Sequence, residues 1–338
     1  MITLTIKDIA KESGYSVSTV SRVLNNRRDV SPEARSRIME VVELHNFVLN
    51  SNAKQLKQTT SKTISVIVKG TSNMLFSSIV EEIQKMVERT KYTVSLCYLD
   101  EDENEVEYAL TQCRETKPVG IVFLGGNPGY FKARFEKVKI PCVLVTNDSA
   151  DLTFSNLSSV SIDDIEAAKS AVDFLFSHGH SEIGIIGGDP AISYTSHLRL
   201  IGSKKSFQEH ELEFDENRYY EKARYSYESA YHAMERLLDR VNDVTGVFAM
   251  SDVMAIGAIR ALRDRNLNVP EDVSVLGFDG ISIASYYNPK LTTVKQNSNN
   301  LATESVRILL NMIEEESEAV HERVPFELVT GESVRTLR

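Results

Sequence analysis

Hydrophobic residues recur along this chain with two different rhythms. Up to about residue 44 they fall at i, i+3, i+4: Ile6, Ile9 and Ala10, then Val20, Val23 and Leu24, then Ile38, Val41 and Val42. Each set is one face of a 3.6-residue repeat, which predicts three short amphipathic helices. The punctuation agrees. Thr5 with an acid three residues on is a capping box, and Gly14 suits a helix-ending turn. Ser16 can cap a second helix over roughly 17–24, which Asn25-Asn26 breaks. Ser31-Pro32-Glu33 starts a third, with serine as cap, proline at the first helical position and an acid in the first turn. Two short helices joined by a tight glycine-bearing turn, with a third behind, is the helix-turn-helix layout.

From Ile64 the pattern changes to short apolar runs alternating with amphipathic stretches. "ISVIV" (64–68) precedes a helix at about 77–90, "TVSLCYL" one at about 103–115, and "VGIVFL" one at 128–137, followed by "CVLVT". The order restarts near residue 160: "VSI" and a helix at 164–178, "IGIIGG" and one at about 196–210, "VTGVFAM" and one at 252–265, then "VSVLGFD". Alternating βα units predict parallel sheets covered by helices, with ligands at the carboxyl ends of the strands. Two such sets predict two similar lobes with a cleft between them. "LGGNPG" and "IGGDP" lack phosphate-loop spacing, and no G-x-G-x-x-G occurs, so a nucleotide enzyme is not expected.

Composition sharpens this picture in three places. With 338 residues, 42% hydrophobic and 25% charged, the chain has room for two or three ordinary globular domains. Cys97, Cys113 and Cys142 are scattered, which argues against a disulfide framework or a metal site and fits a reducing compartment. The start has no apolar core behind a basic segment, and no run approaches the ~18 residues of a membrane span, so a cytoplasmic protein is expected. The net charge of −10 is uneven: residues 1–60 carry nine Lys/Arg against six Asp/Glu, leaving 29 against 42 for the remainder. A basic head on an acidic body suggests that the head alone meets a polyanion.

The outer face of the second helix carries Val17, Ser18, Thr19, Ser21 and Arg22. Serine and threonine are poor helix-interior residues, and a merely solvated face is more readily built from Glu, Lys and Gln. Small side chains let a helix approach base edges in a major groove. There Val17 can meet a thymine methyl, Ser18 a base edge, and Arg22 a guanine or a phosphate. Ser16, Thr19 and Ser21 suit phosphate oxygens. The alternative is a small helical subdomain packed on the body with an incidental polar surface.

The stretch "TIKDIAKESGYSVSTVSRVLNN…VSPEARSRIMEVVELHNF" resembles the head of the lactose/galactose repressor (LacI/GalR) family of transcription regulators, whose recognition helix reads T-V-S-R-V-L-N, here Thr19 to Asn25. The resemblance divides the chain into a DNA-binding head (1–49), a hinge and linker (50–63) and an effector-binding, dimerising body (64–338). In the hinge Asn50, Ala53 and Leu56 match the family; Leu49 replaces its proline and Lys54 its arginine. The resemblance implies a hinge helix over 50–57 that forms when two copies meet on DNA, with Leu56 wedged between base pairs. An ordinary core leucine is the alternative.

The body resembles the same family and, with it, the periplasmic sugar-binding proteins. "SHGHSEIGIIGG", "AMSDVMAIGAIRAL", "NVPEDVSVLGFDG" and "PKLTTVKQ" carry the likeness. It implies an α/β, two-lobed periplasmic-binding-protein-like body behind the helix-turn-helix head, and a small effector, commonly a sugar, in the cleft. Arg199 matches the arginine of R-x-x-G-F, with Ser203 for its phenylalanine. Asp252 matches the acid of N-D-x-M-A-x-G, and Asp279 that of G-F-D. Asn73 and Phe76 fit S-N-P-F-F, and Thr146 stands where many relatives have aspartate. Carboxylates and a guanidinium suit hydroxyls, and an aromatic ring suits a sugar face. Each residue has a plainer alternative: Asp252 as helix cap, Asp279 as turn acid, Phe76 as core, Arg199 as surface. No enzyme, cofactor or metal is expected: Asp252 and Asp279 could form a glycosidase pair on paper, but no nucleophile elbow or metal cluster accompanies them. The expectation is a ligand-responsive repressor, of a carbohydrate-utilisation operon, acting as a dimer on a palindromic operator. A nucleobase or phosphoprotein effector, or a solute-binding module without regulation, is the alternative. The dimer is expected because the chain lacks the leucine-rich C-terminal helix of tetrameric members.

Overall fold

The computed structural model describes residues 5–24, 27, 30–45, 47, 62–70 and 73–337. The chain forms two compact units that divide between Ser61 and Lys62.

The first unit holds α1 (Ile6–Ser13), α2 (Val17–Leu24) and α3 (Pro32–Leu44). Both the backbone N–H and the hydroxyl of Thr5 donate to Asp8 Oδ2, at 2.8 and 2.7 Å. Gly14 ends α1 at φ 79, a left-handed conformation that costs glycine little. Ser16 and Ser31 cap the next two helices, accepting from the backbone N–H groups of Thr19 and Ala34. The buried side chains are Ile9, Ala10, Val20, Val23, Ile38, Val41 and Val42. These are the i, i+3, i+4 positions of the pattern, except that Ile6 and Leu24 sit at the edge of the cluster, partly buried.

The second unit is a pair of six-stranded α/β lobes. In chain order its elements are β1 (Thr63–Lys69), α4 (Met74–Val87), β2 (Thr93–Leu99), α5 (Glu105–Glu115), β3 (Gly120–Leu124), α6 (Pro128–Arg134), β4 (Cys142–Val145), β5 (Leu157–Ser161) and α7 (Asp164–Ser177). There follow β6 (Ile183–Gly187), α8 (Tyr194–Glu209), α9 (Glu216–Tyr219), β7 (Tyr220–Lys222), α10 (Tyr227–Arg240), β8 (Gly246–Ala249) and α11 (Asp252–Asp264). The last are β9 (Ser274–Asp279), β10 (Thr292–Gln296), α12 (Ser298–Glu314), β11 (His321–Arg323) and β12 (Phe326–Val329). One sheet has the order β11-β5-β4-β3-β1-β2, the other β12-β10-β9-β8-β6-β7. Every pairing is parallel except β10 with β12. Central strands such as β3 and β4 are buried along their length, as parallel strands covered on both faces must be.

A single lobe boundary near 160 does not describe this body. The chain crosses between lobes after β5, returns after β10, because α12 packs on α4 and β3–β5 of the first lobe, and crosses again between β11 and β12. Three crossing segments therefore join the lobes. His178 and His180 lie in the α7–β6 connection, where His180 Nε2 is 3.0 Å from the Arg335 carbonyl oxygen.

Candidate functional site: a helix face and an interlobe cleft

The head presents the outer face of α2. Val17, Ser18 and Arg22 are exposed there or partly so, with Ser21 half-buried beside them. Ser16 Oγ lies 2.7 Å from Ser18 Oγ and 2.9 Å from Thr19 Oγ1, so one hydroxyl cluster occupies the helix start. Such hydroxyls can rotate to offer donors outward. Thr5, which the resemblance also places among the DNA-contacting residues, donates its hydroxyl to Asp8 in the cap of α1. Asn25, Asn50, Ala53 and Leu56 lie outside the described residues.

In the body, a cleft of about 350 Å³ opens between the lobes, where the carboxyl ends of both sets of parallel strands meet. Asn73, Phe76 and Thr146 line it from the first lobe, Arg199 and Asp279 from the second. Asn73 is the N-cap of α4, accepting from Leu75 N–H, and so anchors the turn that presents Phe76. Thr146 follows β4 with φ 74, and Asp279 ends β9 with φ 105. Left-handed backbone is rare for such residues, and strain of this kind concentrates at binding sites.

Arg199 is not a surface residue: it is 3% exposed. Its Nε donates to Asp164 Oδ1 at 2.8 Å, another guanidinium N–H donates to the Met250 carbonyl, and the group lies 3.6 Å over the Phe278 ring. Asp279 Oδ1 is 4.0 Å from the guanidinium and accepts from Gln296 Nε2 at 2.8 Å. Burial pushes the Asp279 carboxyl up to about 6, with Arg199 opposing the rise. Gln296 lines the cleft, is 3% exposed, and its Oε1 has no hydrogen-bond partner among the described residues. A buried acceptor left without a donor is costly.

Asp252 requires a correction. It is fully buried and absent from the cleft lining. One carboxylate oxygen accepts from Thr293 Oγ1 at 2.6 Å and the other from Ile281 N–H at 2.8 Å. Nor is it the cap of α11, because Ser251 Oγ takes the Met254 N–H. Asp252 instead pins the β9 turn that carries Asp279, and a side chain on Gly277 would collide with its carboxylate. The glycine of "GFD" and the acid of "SD" are therefore one packing unit. Burial and the Asp279 charge hold the Asp252 carboxyl well above its usual range.

Sequence reasoning does not single out Gln296 as a site residue, although it ends the "PKLTTVKQ" motif. Nor does it find the cleft's ion pairs. Among the described residues, every cationic side chain lining the cleft already has a carboxylate: Lys69 with Glu105 at 2.7 Å, Lys222 with Asp189 at 3.0 Å, Arg199 with Asp164, and Arg224 with Asp100, Glu101 and Asp102. The lobes also bond directly across the gap, Asn127 Nδ2 to the Ile192 carbonyl at 3.0 Å and Thr195 Oγ1 to Asn147 Oδ1 at 2.9 Å.

Among the described residues no helix is long and apolar enough to cross a membrane, and no group of three His, Cys, Asp or Glu side chains could hold a metal ion. Residues 5–50 match the family model described as bacterial regulatory proteins, lacI family, and residues 172–334 that of the periplasmic binding protein-like domain. The chain is 36% identical over 339 residues to the HTH-type transcriptional regulator MalR of Clostridium butyricum, covering 98% of this chain and 99% of that one. It is similar to the solved lac repressor dimer bound to operator and the anti-inducer ONPF, with TM-score 0.74 and 25% identity over 98% of this chain and 99% of that one. A transcriptional regulator CelR–cellobiose complex matches with TM-score 0.72 and 26% identity at the same coverage. The chain belongs to the lacI family of bacterial regulatory proteins, and it is a DNA-binding transcription regulator that responds to a ligand.

Proposed function

We propose that this protein represses carbohydrate-utilisation genes in the cytoplasm and that its effector is a neutral sugar of disaccharide size. The observation that carries this reading is the charge balance of the cleft. With every lining cation already paired, a phosphate or carboxylate on the ligand would have to displace a carboxylate that is in place. A polyol asks only for exchangeable hydrogen bonds. Asp279 accepts, Arg199 donates, Gln296 Oε1 accepts, Asn73 and Thr146 add polar edges, and Phe76 covers an apolar sugar face. The cleft's 350 Å³ sits at the low end of the about 300–1,000 Å³ usual for small ligands. The cellobiose bound to CelR is a disaccharide, which agrees in kind.

The head supplies the DNA contacts through Ser16, Val17, Ser18, Thr19, Ser21 and Arg22, and a second copy supplies the other half-site of a palindrome. Tyr286, 88% exposed near Ile283 on the body, offers an apolar patch for that copy. The segment 50–63 joins head to body, so a change in lobe orientation reaches the head through it.

A melting-temperature screen tests the ligand class. Maltose, cellobiose, glucose, glucose 6-phosphate and guanine are each added to the full chain. A neutral disaccharide at a hundred times its Kd adds about 2.7 kcal/mol and raises the body's melting temperature by roughly 5–10 °C. A rise with glucose 6-phosphate or guanine and none with the disaccharides would contradict the reading.

A further inference from the structure

Glu101, Asp102 and Arg224 line the cleft from opposite lobes, and none takes part in the sugar contacts argued above. Arg224 follows β7 in the second lobe. The acids follow β2 in the first. One guanidinium faces three carboxylates: it bonds Asp100 directly, and lies 3.6 Å from Glu101 and 3.7 Å from Asp102. A fourth link joins the same two loops, the Tyr225 N–H donating to Glu101 Oε1 at 3.2 Å.

Both loops are shaped before they meet. Asp100 N–H donates to Glu103 Oε2 and Asp102 N–H to Asp100 Oδ1, which folds the acidic turn on itself. Arg224 N–H donates to Ser229 Oγ at 2.8 Å, and Ser226 caps α10 behind it. Three adjacent carboxylates repel one another when no cation lies among them, so this turn favours whichever arrangement brings Arg224 to it. The side chains of Arg224, Asp100 and Asp102 are 51%, 58% and 67% exposed, which places the cluster at the rim rather than in the floor. Exposed pairs are individually weak and salt-sensitive. A contact between moving parts has to be of that kind if it is to open again.

We propose that Arg224 and the acidic turn at 100–102 form a rim latch that holds the two lobes closed over the cleft and retains the ligand there. This rests on the reading of the cleft as the effector site, and it adds to that reading a positioning role for residues that do not touch the effector. The latch favours closure even in the ligand-free protein. It slows escape of a bound ligand and loosens as salt rises.

Hydrogen exchange on the ligand-free full chain tests the latch without reference to any sugar. Wild type is compared with Arg224→Gln and Arg224→Lys in low and in 0.5 M salt. In Arg224→Gln, peptides over 100–103 and 223–227 are expected to lose protection together, by about tenfold, while β8 at 246–249 is unchanged. High salt should produce the same loss in wild type and little more in the glutamine variant. Arg224→Lys, which keeps the charge, should recover part of the protection. No change in either loop, or loosening of 223–227 alone, would overturn the latch. A second arm measures release of the neutral disaccharide, expected about tenfold faster in Arg224→Gln with little change in its rate of binding. If exchange behaves as stated and no disaccharide binds, the sugar reading fails and the latch stands. If the disaccharide binds and both release rate and exchange match wild type, the latch fails and the sugar reading stands.

Discussion

Replacing Arg199 with leucine is expected to lower the melting temperature of the body by on the order of 10 °C and to abolish its response to the effector. The cause of the first effect is charge. Asp164 and Asp279, 3% and 2% exposed, share this one guanidinium, and the leucine leaves both carboxylates buried without it. Removing one partner of a buried pair costs about 3–5 kcal/mol. The Met250 carbonyl and the Phe278 ring also lose what they hold. The second effect is geometric. Arg199→Lys separates the two, because a lysine keeps the charge but loses the planar fork. It should melt closer to wild type and still fail to bind the sugar. Melting curves with and without sugar decide this: a leucine variant that melts like wild type would show that the acids do not depend on Arg199.

Asp279→Asn should move stability in the opposite direction. The folded-state value of Asp279, about 6, lies above its ordinary 3.8 because burial disfavours the charge. A raised carboxylate contributes stability below its unfolded value, and that contribution is lost as pH rises through the folded value. At pH 7.5 the ionised group therefore costs the fold about 3 kcal/mol, at roughly 1.4 kcal/mol for each pH unit that separates the folded from the unfolded value. Asparagine removes the cost, still accepts from Gln296, and tolerates the left-handed backbone at this position. The variant is expected to melt several degrees above wild type at pH 7.5, with the gap closing between pH 6 and 4. It should nonetheless bind the sugar poorly, because the ionised acceptor is gone. Asp164 and Asp252 are also pushed upward by burial, so part of the pH slope persists in the variant. A variant that melts below wild type at pH 7.5 would contradict this.

These two residues also mark where sequence reasoning succeeds and where it stops. Local hydrogen-bond chemistry is legible: the Thr5–Asp8 box, the Gly14 turn, the Ser31-Pro32 start and the αβ alternation all appear as the residue pattern implies. The motif identifies Arg199 but not its burial, because an arginine on a helix reads as surface until the helix is seen to be covered on that face. Asp252 is misplaced for a related reason. The spacing puts it in the first turn of α11 but does not say whether it faces the cleft or the β9 turn behind it. The return of α12 to the first lobe is invisible locally, since a helix after a strand looks the same whichever sheet it covers. Gln296 carries no compositional signal, and its unpartnered oxygen is a fact of three dimensions. The Arg224 latch joins residues more than a hundred positions apart, beyond the reach of any periodicity.

Occupancy of the cleft is expected to set the head's grip on DNA. The most direct test is a titration of full-length protein onto a palindromic duplex selected by the protein from random sequence, at fixed salt, with and without a saturating neutral disaccharide. The affinity is expected to change by about tenfold or more, within the usual range of allosteric coupling. Arg22→Ala should weaken binding in both conditions, and Arg199→Lys should bind DNA but show no response to sugar. Identical DNA affinity with and without a sugar that demonstrably occupies the wild-type cleft would contradict the account.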